Sequence, residues 1–269
     1  MSKSTRQKFW LTAGVEAEFE WPEVDKAIDY SGDTFVLRPP TADAAADIQL
    51  GYYKDEEGTP PFVRVSRFLS VLSWWWREPA RIGLCAATTA RAMRIGNRDI
   101  SPPRLTPHFD LRAQLPVLTD DDSKLALALY REAIGVRNVS YEFLDYFRIL
   151  NIGRPNSDKQ ISWINTTLPD LTDHRALERL SALQKGGMDK VGEYLYGSGR
   201  CAVAHAAGEP IIDPDGGDNY VRLQRDLPIA RALAEFRIEN EYNVPNWYST
   251  RRAEEEKVKK LTSLRVRPI

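Results

Sequence analysis

Hydrophobic and polar residues alternate in the first part of the chain. In GVEAEFEW, three glutamates separate four apolar residues, Val15, Ala17, Phe19 and Trp21. A period of two places the apolar side chains on one face of a strand and the glutamates on the other. TFVLRPP and DIQLGYY are shorter strand candidates, and Ser31-Gly32-Asp33 precedes the first of them as a turn. The pattern predicts a β-rich N-terminal domain.

A helical spacing first occurs in VSRFLSVLSWWW, at Val65, Phe68, Leu69 and Leu72. The next apolar segment, RIGLCAATTARAMRIGN, is ambiguous between strand and helix. Four prolines then crowd the segment SPPRLTPHFDLRAQLP. Prolines at this density block both a helix and a central strand, so we predict a domain boundary within roughly ten residues of position 110.

Five helical patterns follow Pro116: TDDDSKLALALYREAI, SYEFLDYFRILNIG, DHRALERLSALQKGG, DKVGEYLYGSGRCAVAHAAGEP and LPIARALAEFRIENEYNVP. Thr119 and Asp173 are the predicted N-caps of the first and third. The last segment, RRAEEEKVKKLTSLRVRPI, is rich in basic residues. These patterns predict an α+β protein with a β-rich domain (1–112), a helical bundle (117–245) and a basic C-terminal tail (246–269).

Composition narrows the class of protein. The chain has 269 residues, a formal net charge of −1 and two cysteines. A near-neutral charge argues against broad coating of nucleic acid, and the two distant cysteines argue against a disulfide framework. The N-terminal segment lacks the apolar core of a signal peptide, and no apolar run approaches the roughly 18 residues that a membrane span needs. We predict a cytoplasmic protein that does not enter a membrane.

The fourth helical pattern combines small residues with two residues suited to catalysis. On an ideal helix, a narrow stripe is formed by Gly192, Gly199, Val203 and Ala206, which would let another helix approach closely. Arg200 and His205 lie outside that stripe and diverge by about 140°. One interpretation gives neither residue a catalytic role: Arg200 is then a surface arginine and His205 a partly buried histidine. If they act together, the helix ends near His205 or a second copy of the chain completes the site.

The segment RCAVAH, with arginine and histidine at the end of a late helix in a helical bundle, resembles the HEPN superfamily (higher eukaryotes and prokaryotes nucleotide-binding). The resemblance covers roughly residues 120 to 242. The chain also resembles bacterial proteins described as methylamine-utilisation accessory proteins, a description that implies no particular chemistry.

Many HEPN proteins are metal-independent endoribonucleases that act as homodimers, with two Arg-x4–6-His motifs facing each other. The resemblance implies that Arg200 and His205 are catalytic, that single-stranded RNA is the substrate and that no cofactor or metal is required. Arginine stabilises the negative charge that develops on phosphorus-bound oxygens, and histidine exchanges a proton near neutral pH. Such an enzyme would serve as an RNA-cleaving toxin or a phage-defence effector.

Two positions depart from the HEPN pattern. Cys201 follows the arginine where active members often have a polar residue, and Ala207 replaces a tyrosine that a toxin subgroup carries two positions after the histidine. The alternative function is therefore a non-catalytic HEPN-like dimerisation or binding protein, with a regulatory or ligand-sensing β domain.

Three other features have structural and functional interpretations. Trp74 to Trp76 are either a stacking platform for bases or core residues, with at least one ring exposed or at an interface. Six arginines between Arg77 and Arg104 either contact phosphates or form a solvated face, which we favour. Three aspartates in a glycine-containing loop lack EF-hand spacing, so no metal site is predicted there: Asp213, Asp215 and Asp218.

Overall fold

The computed structural model describes residues 6–111, 115–204 and 216–265. The chain forms two compact units: unit 1 combines residues 1–117 with 245–269, and unit 2 comprises residues 118–244. An antiparallel sheet lies in unit 1, and unit 2 is helical. The predicted α+β class is confirmed at this level. The segment predicted as a basic tail belongs to unit 1 and contains helix α9 (Trp247–Arg265).

The sheet of unit 1 contains five strands, β1 (Lys8–Ala17), β3 (Lys26–Tyr30), β4 (Asp33–Arg38), β5 (Asp47–Tyr53) and β6 (Ala80–Thr88). Their order is β3-β4-β5-β1-β6, and all neighbours are antiparallel. A short parallel pair joins β2 (Trp21–Pro22) to β7 (Leu105–Thr106). Ser31 and Gly32 both have positive φ, 52° and 85°. This pair of left-handed residues closes the β3–β4 hairpin as a type I′ turn requires.

Helix α1 (Pro61–Trp76) covers one face of this sheet and forms the core with it. The rings of Phe35 and Phe68 stack there with centroids 4.2 Å apart. The alternation predicted in GVEAEFEW is confirmed, because its four apolar residues are all buried. Strand β1 nevertheless ends at Ala17, so Phe19 and Trp21 enter the core from the following bend and from β2.

The opposite face of the sheet carries a buried ion network. Asp47 has no exposed side-chain surface, and its carboxylate lies 2.6 Å from Arg38 Nε and 2.7 Å from Arg94 Nε. Burial raises the pKa of Asp47, and the two guanidinium groups oppose that rise. Arg94 also donates to the carbonyls of Pro39 and Ala45. The prediction of a solvated face is therefore wrong for Arg94, which joins three parts of unit 1.

The tryptophans of α1 are packing residues. Trp74 and Trp75 are buried, at 0% and 1% exposure, and Trp74 Nε1 donates to the Pro245 carbonyl at 3.2 Å. Trp76 is half-buried, and its ring centroid lies 6.1 Å from that of Trp247 in α9. The interpretation of these residues as core residues is confirmed for Trp74 and Trp75, and the half-buried Trp76 packs against α9 within unit 1; the prediction of a ring that is exposed or at an interface stays a prediction.

Unit 2 contains α2 (Asp121–Gly135), α3 (Val139–Asn151), α4 (Ser157–Thr167), a 3₁₀ turn (Leu168–Asp170), α5 (His174–Lys185), α6 (Val191–Tyr194), α7 (Ala202–Ala204) and α8 (Gly217–Phe236). Two π-helical segments lie among them, π1 (Leu195–Cys201) and π2 (Arg237–Glu241). Helices α2, α3 and α8 supply the large buried side chains of the core, including Tyr130, Phe143, Phe147 and Leu233.

Asparagine and aspartate begin four of these helices. The side chains of Asp120, Asn138, Asn156 and Asp173 each accept a backbone N–H of the first turn. Asp173 is confirmed as a cap, whereas Thr119 is wrong. Asp120 caps α2 instead, and its carboxylate accepts the Ser123 N–H at 2.7 Å. A carboxylate at this position also interacts favourably with the positive end of the helix dipole.

Candidate functional site

Arg200 lies in a π-helical segment. A continuous α-helix was predicted through this region, and that prediction is wrong from Leu195 to Cys201. Gly197 and Gly199 lie inside the segment and lower its α-helical propensity. A π-helix has i to i+5 hydrogen bonds and a wider turn, so the angle predicted between Arg200 and His205 from ideal α-helical geometry does not apply.

His205 lies outside the described residues, as do Ala206 and Ala207. Of the predicted catalytic pair, the structure therefore describes Arg200. Its side chain is half-buried and packs against its own helical segment. Arg200 Nη1 donates to Cys201 Sγ at 3.6 Å, and Arg200 Cζ lies 5.5 Å from the centre of the Tyr196 ring.

The guanidinium of Arg200 keeps unused hydrogen-bonding capacity. Its Nε is buried and has no hydrogen-bond partner among the described residues. Within the same part of the chain, no carboxylate lies within ion-pair distance of Arg200. Burial raises the pKa of Tyr196, while the charge of Arg200 lowers it and that of Asp158 raises it.

A groove of about 650 Å³ is lined by residues of α4 and α6, among them Asp158 and Glu193, and Arg200 is not one of its lining residues. Asn165 organises the groove: its Oδ1 accepts the Gly192 N–H at 2.9 Å and its Nδ2 donates to Glu193 Oε2 at 3.1 Å. The lining residues come from α4 and α6 and are Asp158, Ile161, Ser162, Asn165, Thr166 and Glu193.

The family model of methylamine utilization protein MauJ matches residues 126–239. The matched range begins in α2, ends in π2 and contains both Arg200 and His205. The match supports the resemblance to methylamine-utilisation proteins. No curated protein and no solved structure matches the chain.

The glycines of the MauJ-matched region pack against their own unit. A Cβ on Gly192 would lie 2.5 Å from Asn165 Oδ1, and one on Gly199 would lie 2.6 Å from the Phe143 ring. Both glycines are buried. The packing explanation of the small-residue stripe is confirmed for these two positions. The neighbours that approach these two glycines are α4 and α3 of the same unit, so neither glycine supports a dimer interface.

Gly199→Ala is expected to destabilise unit 2 by about 1–3 kcal/mol, because the added methyl group overlaps the fully buried Phe143 ring. Gly197→Ala is the matched control, since a Cβ there meets nothing within 4 Å. Thermal unfolding followed by circular dichroism compares the two variants. Equal melting temperatures would show that Phe143 moves aside without cost.

Sequence reasoning missed α4, and with it the groove and the position of Asp158. The signal was present in Asn156, which precedes Ser157-Asp158, and in Ile161 and Ile164 at helical spacing. Tyr196 was also missed, because its ring reaches Arg200 only in the observed helical geometry.

The described residues contain no group of three or more His, Cys, Asp or Glu side chains that could hold a metal ion. Asp213 and Asp215 of the aspartate-rich loop lie outside them, and Asp218 lies in the first turn of α8. Among the described helices, none is both long and apolar enough to cross a bilayer.

Proposed function

We propose that unit 2 is a HEPN-like domain that cleaves single-stranded RNA without a metal ion, with Arg200 and His205 as its catalytic residues. The setting of Arg200 carries the proposal. Its half-buried guanidinium has no carboxylate partner in the described chain, keeps a buried Nε without a hydrogen-bond partner there, and precedes His205 by five positions. Its π-helical backbone adds support, because π-helical turns are frequent at functional sites.

The proposed reaction uses a nucleophile that RNA itself carries. The 2′-hydroxyl oxygen attacks the neighbouring phosphorus, and the bond from phosphorus to the 5′-oxygen breaks. The products are a 2′,3′-cyclic phosphate and a free 5′-hydroxyl. One imidazole accepts the hydroxyl proton and another donates a proton to the leaving oxygen, roles that two copies of His205 share in a dimer.

Arg200 stabilises the negative charge that develops on the phosphorus-bound oxygens, since a guanidinium stays protonated and presents several donors. The groove lined by α4 and α6 offers hydroxyl and carboxylate groups, among them Ser162 and Glu193. Groups of these kinds hydrogen-bond to the exposed base edges of single-stranded RNA. The groove is therefore the proposed place for a base next to the cleaved bond.

The test is cleavage of single-stranded RNA by the purified chain in the presence of EDTA. Arg200→Ala and His205→Ala are each expected to abolish cleavage. His174→Ala and Arg175→Ala are matched controls, because both residues are exposed at the start of α5. Products ending in a cyclic phosphate support the mechanism. Absence of cleavage by the wild-type chain, or cleavage that survives both active-site substitutions, contradicts the proposal.

The second candidate is a non-catalytic HEPN-like binding protein. The contact between Arg200 Nη1 and Cys201 Sγ favours this candidate. The thiol accepts a hydrogen bond from an N–H group that would otherwise bind a phosphate oxygen. This candidate predicts RNA binding without cleavage by the wild-type chain, and a Cys201→Asn variant that remains inactive. Cleavage lost on substitution of Arg200 rejects it.

A further inference from the structure

One end of the sheet in unit 1 carries aromatic rings among cationic side chains. Lys8 pairs with Tyr53 and Trp10 pairs with Gly51 across β1 and β5. Alternation along the strands places Lys8, Trp10 and Tyr53 on the face opposite to α1. Arg91 Cζ lies 4.9 Å from the centre of the Trp10 ring, and Arg6 Cζ lies 5.5 Å from that of Tyr53. We call these residues the outer platform: Arg6, Lys8, Trp10, Tyr53 and Arg91.

The absence of a side chain at Gly51 shapes the outer platform. A Cβ there would lie 2.9 Å from Trp10 Cζ3 and 2.5 Å from Lys8 Cε, so the indole and the lysine stem lie close against the sheet backbone. Trp10 and Tyr53 are diagonal neighbours across the strand pair, a separation of about 7–8 Å that aromatic rings can span. Both rings are half-buried. Both rings lie on the same face of the sheet with cations over them: Lys8 Nζ lies 4.7 Å from the centre of the Trp10 ring, beside Arg91, and Arg6 lies over Tyr53.

The backbone beneath Arg91 is anchored. Gln49 Nε2 donates to the Arg91 carbonyl at 2.7 Å, and Arg38 Nη1 donates to it at 3.4 Å. The backbone that carries Arg91 is thus held by the same buried polar layer that contains Asp47, and the guanidinium rests over the Trp10 ring. An ordered cation loses less conformational entropy when it binds a ligand than a freely rotating one.

Charge identifies the kind of ligand. Asp55 pairs with Arg6 Nε at 2.7 Å. Lys8 and Arg91, in contrast, have no carboxylate within ion-pair distance in the part of the chain that the structure describes. Cations that follow a backbone of phosphates, combined with rings on which unpaired bases stack, are the two components of single-stranded nucleic-acid binding sites.

We propose that the outer platform binds single-stranded nucleic acid, with bases stacked on Trp10 and Tyr53 and phosphates bound by Lys8 and Arg91. This binding function goes beyond the proposed RNA cleavage and stands on residues of unit 1 alone. It holds whether or not Arg200 and His205 are catalytic.

The test measures fluorescence anisotropy of labelled oligouridine and of the matching oligothymidine. The full chain carries Arg200→Ala and His205→Ala, so that RNA stays intact. Trp10→Ala is expected to weaken binding by about tenfold or more, and Trp10→Phe to retain most of it. Lys8→Gln with Arg91→Gln is expected to reduce the slope of log affinity against log salt by about 0.7 for each lost phosphate contact.

Lys54→Gln is the matched control. Lys54 carries the same charge at the same end of the sheet, but its Nζ lies 4.7 Å from the ring of Phe9, which is on the α1 side. Tighter binding of RNA than of DNA identifies contacts to the 2′-hydroxyl, and equal binding identifies bases and phosphates alone. The proposal is overturned if Trp10→Ala and the double variant bind like the parent chain, if Lys54→Gln weakens binding equally, or if base-free polyphosphate or an acidic peptide competes as well as the oligonucleotide.

Discussion

Asp47→Ala is expected to lower the free energy of unfolding of unit 1 by about 3–5 kcal/mol. The carboxylate is fully buried and accepts from Arg38 and Arg94. Its removal leaves two guanidinium groups, 7% and 24% exposed, without their counter-charge. A typical domain is stable by only about 5–15 kcal/mol, so the variant loses a large part of its stability.

Urea unfolding followed by tryptophan fluorescence measures this loss, because six of the seven tryptophans lie in unit 1. Asp55→Ala is the matched control: Asp55 also pairs with an arginine in unit 1, but its side chain is 62% exposed. An exposed pair contributes little, so the control should unfold close to the wild type. Equal midpoints for the two variants would show that the buried network does not stabilise the sheet.

The position of Asp47 explains why the effect should be large. Arg38 donates to the Met93 carbonyl, and Arg94 donates to the carbonyls of Pro39 and Ala45. Both arginines hold loop backbone against the sheet while their charge is balanced by one carboxylate. Loss of that carboxylate therefore affects the ion pairs and the loops together.

Local signals predicted the parts of the fold that depend on neighbouring residues. The alternation in GVEAEFEW, the turn at Ser31-Gly32 and the cap at Asp173 each follow from a few consecutive side chains. The identity of the α2 cap was missed by one residue, because Thr119 and Asp120 are both good caps and only the observed bond to Ser123 separates them.

Contacts between distant residues could not be predicted in the same way. Trp74 reaches Pro245 across 171 positions, and this contact helps to join the C-terminal segment to unit 1. Asp47 and Arg94 are likewise 47 positions apart. In the sequence, Arg94 is only one arginine of a basic stretch. Its ion pair with Asp47 forms because the fold brings the two distant residues together.

The same distinction between local signals and distant contacts applies to the candidate site. Arg200 was identified from the sequence, and the glycines beside it were assigned to packing. The π-helical turn and the groove lined by α4 and α6 were not predicted, because both depend on how α3 and α4 approach Gly199 and Gly192. The spacing in the sequence thus predicted Arg200 as a candidate, whereas tertiary packing determines its environment.

Arg237→Met is expected to destabilise unit 2 by roughly 3 kcal/mol, the sum of two lost charge-assisted hydrogen bonds at about 1.5 kcal/mol each. Arg237 is 4% exposed and donates to the carbonyls of Ile149, at 2.5 Å, and Ile152. Ile149 lies in the last turn of α3, where its carbonyl also accepts the Ile152 N–H at 3.3 Å, and Ile152 is the C-cap residue of that helix. Burial lowers the pKa of Arg237, yet a guanidinium remains protonated at neutral pH. Methionine keeps much of the volume and removes both donors.

Hydrogen exchange over residues 139–152, together with urea unfolding followed by circular dichroism, tests this expectation. The end of α3 should exchange faster in Arg237→Met, because the carbonyls of Ile149 and Ile152 lose the guanidinium that binds both of them. Arg175→Met is the control, since Arg175 is exposed at the start of α5. Unchanged exchange in α3 would mean that water replaces the guanidinium without cost.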